Sequence, residues 1–204
     1  MAFLRTFAVI IILITASTVF SQNTDINSAF EESYKLEENG EYKQAIEKIK
    51  TVYSADSYEI NLRLGWLNYY SGFFTKSSTF YQKAINLMPY SIEAKLGLIN
   101  PTSAMGNWTI VIKTYKEILQ IDPKNSTANY RLASIYYGRK DYTTAFKYYQ
   151  NVVNHYPFDY NAVLMYAWTN YMLGKTREAK ILFNKVLLIS PNDASALEGL
   201  SLIK

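Results

Sequence analysis

The sequence predicts an all-α fold, a solenoid of about five helix-turn-helix repeats followed by a C-terminal capping helix. Pro89, Pro123, Pro157 and Pro191 follow one another at intervals of 34 residues (123−89, 157−123, 191−157). With each proline counted as position 32, small and large residues fall into fixed columns. Position 8 holds Gly65, Ile99, Ala133 and Ala167, position 20 holds Ser77, Val111, Ala145 and Ala179, and position 24 holds Tyr81, Tyr115, Tyr149 and Phe183. Gly72, Gly106 and Gly174 recur at position 15, between two amphipathic halves. A lone helical hairpin cannot bury both of its apolar faces, so each unit needs its copies as neighbours.

Each column has a physical reason. Two helices crossing within a hairpin approach closely only where side chains are small, and a large ring fills the wedge beside the crossing. Glycine at position 15 accepts the left-handed conformation that ends a first helix. Gly138 comes two places early, in the turn Gly138-Arg139-Lys140-Asp141. Proline at position 32 cannot continue the second helix.

These residues resemble the tetratricopeptide repeat family, whose 34-residue pattern they match at the first-helix pairs Leu64-Gly65 and Leu132-Ala133, the second-helix small residue, the ring and the closing proline. The resemblance covers nearly all of the chain after about residue 26. It implies a right-handed superhelix with first helices on the inner, concave face.

Taken in order, residues 1–21 carry one cation, Arg5, then the apolar run Phe7–Ile14 and small and polar residues up to Ser21. This pattern predicts a secretory signal peptide cleaved before Gln22, and hence a periplasmic or secreted protein. The alternative is an N-terminal membrane anchor, but 6–20 falls short of the roughly 20 apolar residues that a bilayer requires. Membrane contact is expected only through this segment before cleavage.

Residues 22–204 form the predicted solenoid, with repeats at 26–57, 58–91, 92–125, 126–159 and 160–193 and a capping helix at 194–204. The first repeat is degenerate. Ser33, Leu36, Gly40, Tyr42, Ala45, Ile49 and Val52 keep the pattern, the closing proline is missing, and Glu31, Glu32, Glu37, Glu38, Lys43, Glu47 and Lys48 suit a terminal face turned to water. In the third repeat, Pro101 removes the hydrogen bond to Gly97 and predicts a kink or break near Asn100. Asn192-Asp193 reads as the N-cap of the last helix.

Composition excludes several functions. The chain has 204 residues, no cysteine, one histidine and a formal charge of +4, which falls to +3 (20−17) when residues 1–21 are removed. Disulfides and cysteine-ligated metals are impossible, and there is no lysine or arginine stripe for nucleic acid. The lone His155 sits in the last turn of a second helix, where it suits the dipole. Phosphate loops, zinc-ligand spacings and nucleophile elbows are absent from the sequence. The expectation is a chain without enzymatic activity, cofactor or metal.

Carried over through the resemblance, ligand contacts fall at positions 2, 5, 9, 12 and 13 of the first helices. These positions hold Leu62, Trp66, Tyr69 and Tyr70 in the second repeat, Tyr130, Ser134 and Tyr137 in the fourth, and Leu164, Trp168, Tyr171 and Met172 in the fifth. The third supplies Glu93, Leu96, Asn100 and Ser103. The carboxylate clamp of the family's chaperone-binding members is missing, because position 5 carries Leu62, Leu96, Tyr130 and Leu164. An exported scaffold binding a protein or peptide through an aromatic groove is the leading expectation. The alternatives are a carbohydrate- or polymer-binding envelope protein and an accessory subunit of a secretion or envelope-assembly machine.

Overall fold

A computed structural model describes residues 25–203, and the predicted signal segment at 1–21 lies outside them. All regular structure among the described residues is helical. Helix α1 covers 25–38. It is followed by α2 (Tyr42–Lys50), α3 (Tyr58–Tyr70), α4 (Phe74–Leu87), α5 (Ile92–Ala104), α6 (Trp108–Ile121), α7 (Ser126–Gly138), α8 (Tyr142–His155), α9 (Tyr160–Met172), α10 (Thr176–Ile189) and α11 (Ala194–Leu202). The helices form two compact units, divided between Trp108 and Thr109.

In the N-terminal unit, α3 packs on α2, α4 and α5, and α4 also packs on α5. Its core has two parts. Ala45, Ile46 and Ile49 meet Ile60, Leu64 and Leu67, and Tyr81, Ala84 and Ile85 meet Ala94 and Leu98. The Tyr81 ring is wedged between two first helices: an ideal Cβ would stand 2.9 Å from its Cγ at Gly65 and 2.1 Å from its Cε1 at Gly97. Gly97, at position 6 of the following repeat, is bare where this ring arrives. At position 20 the Ser77 hydroxyl donates to the Gly65 carbonyl at 2.7 Å, tying α4 to α3 where they cross.

In the C-terminal unit, α7 packs on α8, α8 on α9, α9 on α10, and α11 on both α9 and α10. Ala133, Ala145 and Tyr149 form one cluster. Val163, Ala167, Ala179, Phe183, Val186 and Ala196 form another, in which α11 covers the apolar face of the last hairpin. Phe183 repeats the wedge, since a Cβ at Gly199 would fall 2.3 Å from its Cζ.

The first helices begin alike. Ser57, Ser91, Asn125, Asp159 and Asp193 stand 34 residues apart as N-caps, and their side chains accept the backbone N–H of Ile60, Ala94, Ala128, Ala162 and Ala196. Each such bond satisfies one of the four donors a helix start leaves open, worth about 1 kcal/mol. Sequence reasoning found only Asp193 of the five. The regular spacing of short oxygen-bearing side chains at position 34 is the signal that reveals the rest.

Two expectations are corrected. Helix α5 runs unbroken from Ile92 to Ala104 through Pro101, which is buried, and the Pro101 carbonyl still accepts the Met105 N–H at 3.0 Å. The proline sits in the last turn, where a single bond is lost and burial of its ring in the core offsets the loss. In the fourth repeat Gly138 ends α7 as a helical residue, and the left-handed turn position falls on Lys140, with φ of 63°. Gly72, Gly106 and Gly174 hold that same position in the other repeats with φ of 76°, 72° and 72°.

Candidate functional site

The groove residues read from the sequence lie in both units. In the N-terminal unit, α3 carries an aromatic patch at its C-terminal end. Trp66 and Tyr70 are 4.5 Å apart between ring centroids, Tyr69 meets Tyr70 edge-on at 5.3 Å, and Tyr42 of α2 stacks on Tyr70 at 5.4 Å. Trp66 and Tyr70 remain 37% and 46% exposed, so the patch is open to a ligand. Tyr69 and Leu62 are half-buried, and Leu62 packs against the Tyr81 cluster.

What holds this patch was not visible in the sequence. The Glu37 carboxylate, on α1, accepts the Trp66 indole N–H at 2.6 Å on one oxygen and the Arg63 guanidinium on the other. Arg63 is buried, donates through Nε to the Ser33 hydroxyl at 2.8 Å, and lies 3.9 Å from the centroid of the Tyr34 ring. Glu37 was expected to face water with its acidic neighbours. It is instead half-buried, because Arg63 one helix away needs a counter-ion once it is taken out of solvent. Tyr34 is 52% exposed and extends the ring surface from α3 onto α1. Two cues were available in the sequence, an arginine at position 6 where Gly97 and Gly199 leave space, and an acid on the preceding first helix.

The α5 residues Glu93 and Asn100 are exposed, and Leu96 and Ser103 are half-buried. Tyr58 ties this helix to α3 by a hydrogen bond of 2.7 Å between its hydroxyl and that of Ser91.

In the C-terminal unit the corresponding residues are bound up in packing. Tyr130 meets the buried Tyr149 edge-on at 5.6 Å, and the Tyr149 hydroxyl pairs with Ser134 at 2.9 Å. Burial pushes the Tyr149 phenol up to about 12. Tyr137 packs on Tyr142 at 5.2 Å. Trp168 is half-buried, edge-on to Phe183 at 5.0 Å and to Tyr171 at 5.8 Å, and its indole N–H donates to Ser195 of α11 at 2.9 Å. Leu164 and Tyr171 are half-buried against the same cluster, and Met172 is exposed.

No group of acids and histidine that could hold a metal ion occurs among the described residues. His155 sits at the end of α8, where its Nδ1–H donates to the Asn151 carbonyl at 2.8 Å, as a capping side chain does.

Residues 136–202 match the tetratricopeptide repeat family. The paired helices, their 34-residue period and the Tyr81 ring set against Gly65 and Gly97 extend the same architecture through the rest of the described chain. That family match spans about a third of the chain, and over the rest the likeness to tetratricopeptide repeats is one of fold. Among solved structures, a tetratricopeptide repeat protein from Parabacteroides merdae is similar, with a TM-score of 0.73 at 19% identity over 87% of this chain and 72% of that one. A MamA protein is similar with a TM-score of 0.71 at 20% identity over 84% and 95%. MamA from Desulfovibrio magneticus RS-1 has a TM-score of 0.68 at 16% identity over 83% and 98%. At these identities the likeness is one of fold. No curated protein matches the sequence.

Proposed function

We propose that this chain is a non-catalytic, exported scaffold that binds a protein or peptide partner through the aromatic surface of its first helices, with the α1/α3 patch as the principal contact. One observation carries the reading: Trp66, Tyr70 and Tyr34 are exposed together, while the Glu37 carboxylate and the Arg63 guanidinium fix the patch from beneath. Rings held in place before a partner arrives lose little conformational freedom on binding, and exposed tryptophan and tyrosine carry a disproportionate share of interface energy. The tetratricopeptide repeats support a scaffold role, and the composition of residues 1–21 supports export.

The test is to immobilise residues 22–204 and offer envelope-protein extract and a glycan panel in parallel, with Trp66→Ala/Tyr70→Ala as the comparison. The expected result is retention of a discrete protein by the wild type and its loss in the double variant, with helical content unchanged. Retention of glycans instead of protein overturns the partner class. For export, N-terminal sequencing of the protein recovered from outside the cytoplasm is expected to begin at Gln22, and a chain retained in membranes with Met1 in place contradicts it.

A further inference from the structure

A cleft of about 480 Å³ opens between α2 and α4, the second helices of the first two repeats. From α2, Lys43, Ile46 and Lys50 enter it at helical spacing, and from α4 and its N-cap come Phe73, Lys76 and Phe80. Phe73 is 38% exposed and has two ammonium groups near its ring, Lys43 at 5.8 Å and Lys76 at 5.1 Å from the centroid. Phe80 has Lys83 at 5.4 Å, and Lys83 donates to the Tyr53 hydroxyl at 2.9 Å. Glu47 is the one acid lining the cleft, and it is paired with Lys50 at 2.7 Å. Neither Lys43 nor Lys76 forms an ion pair with a carboxylate among the described residues.

We infer that this cleft docks a short acidic segment of a partner protein, one that carries an aromatic or aliphatic side chain among its carboxylates. Charge complementarity selects the acidic character, since the lysines without carboxylate partners line a cleft whose single acid is already paired. The rings select the apolar side chain, because Phe73 and Phe80 line the same wall as the ammonium groups, so carboxylate and apolar group are met side by side. Dimensions agree: nine-residue α2 is about 13 Å long, the reach of about four extended residues. A small anion would use the lysines and leave the rings idle. A bilayer surface engages groups that protrude, whereas these rings line a recess. The cleft is lined by α2 and α4 together with Asn68 of α3 and shares no residue with the aromatic patch, so the two sites fail or stand separately.

The test uses residues 22–204 and fluorescence anisotropy with a labelled octapeptide pool built from Asp, Glu, Phe, Leu and Gly. A charge-inverted pool with Lys in place of the acids and vesicles of phosphatidylglycerol in phosphatidylcholine run alongside. The acidic pool is expected to bind more tightly than the inverted pool. Lys43→Glu/Lys76→Glu is expected to weaken that binding by about tenfold or more. Phe73→Ala is expected to weaken it only for peptides that contain Phe or Leu. Both Lys43 and Lys76 are exposed, and circular dichroism checks that the variants keep their helices. Equal binding of the two pools, binding unaffected by the lysine reversal, binding to vesicles alone, or loss of peptide binding in Trp66→Ala would each overturn the assignment.

Discussion

The Tyr81 ring fills the space that any side chain on Gly97 would need, with an ideal Cβ falling 2.1 Å from Cε1. Phe183 and Gly199 stand in the same relation at 2.3 Å, one second helix against the next first helix in each unit. Gly97→Ala and Gly199→Ala are therefore expected to destabilise by about 1–3 kcal/mol, because a rigid ring in a filled core cannot step aside. Gly138→Ala serves as the control. It ends α7 with nothing within 4 Å of its Cβ, and is expected to be neutral or stabilising by up to about 1 kcal/mol. Chemical denaturation of the three variants reads the difference.

Lys140 occupies the left-handed turn position with φ of 63°. A non-glycine residue there costs about 1–2 kcal/mol, while glycine adds about 0.5–1 kcal/mol of unfolded-chain entropy. The difference favours Lys140→Gly by up to about 1 kcal/mol, seen as a higher unfolding midpoint. A lower midpoint would show that the lysine side chain contributes contacts of its own.

Trp66 and Trp168 occupy the same repeat position, yet Trp66 donates back to Glu37 and Trp168 forward to Ser195. Trp168 also supports Phe183 and the seat of α11, so Trp168→Ala is expected to cost about 2–3 kcal/mol. Trp66→Ala, at a more exposed ring, is expected to cost about 1 kcal/mol. Equal losses in thermal unfolding would contradict the difference in packing.

Asp193 caps α11 and accepts the Tyr160 hydroxyl at 2.6 Å, and this bond, followed by the backbone N–H of Ala196, holds its carboxyl below the usual 3.8. A depressed carboxylate stabilises the fold above its unfolded value, and the contribution is lost as pH falls through its folded value. Acid below about pH 4 is expected to loosen α11 first and uncover Phe183. Asp193→Asn is expected to remove this acid step while keeping a cap, and amide exchange in α11 between pH 5 and 3 measures it.

Burial raises the phenols of Tyr81 and Tyr149, the latter to about 12. The unfolded chain releases these protons near pH 10 while the native state keeps them, so their stabilisation is complete below pH 10 and is lost as pH rises through the folded values. Stability is expected to fall between about pH 10 and 12. Phenolate absorbance at 295 nm should rise together with the loss of helical signal. Tyr149→Phe is expected to shift this transition to higher pH.

The features shared by most repeats were legible in the chain. Proline, glycine, alanine and ring each answer a local demand repeated every 34 residues, and the helices from Tyr58 to Ile189 fall in pairs within the stretches 58–91, 92–125, 126–159 and 160–193. The last helix, Ala194–Leu202, also stands where expected. The turn geometry outlasts its residue, as Lys140 shows, because the packed helices on either side dictate the path of the chain.

The tertiary structure alone decided what is particular to one repeat. Glu37 could turn inward only where Arg63 waited on the next first helix, and Trp168 could turn toward α11 only where Ser195 supplied an acceptor. Gly97 had to be bare because a ring arrives there from a different repeat. Periodicity encodes the contacts that every repeat shares. The contacts between unlike residues depend on which neighbours stacking brings within a few ångströms, and these set which aromatic rings are consumed by packing and which stay open to a partner.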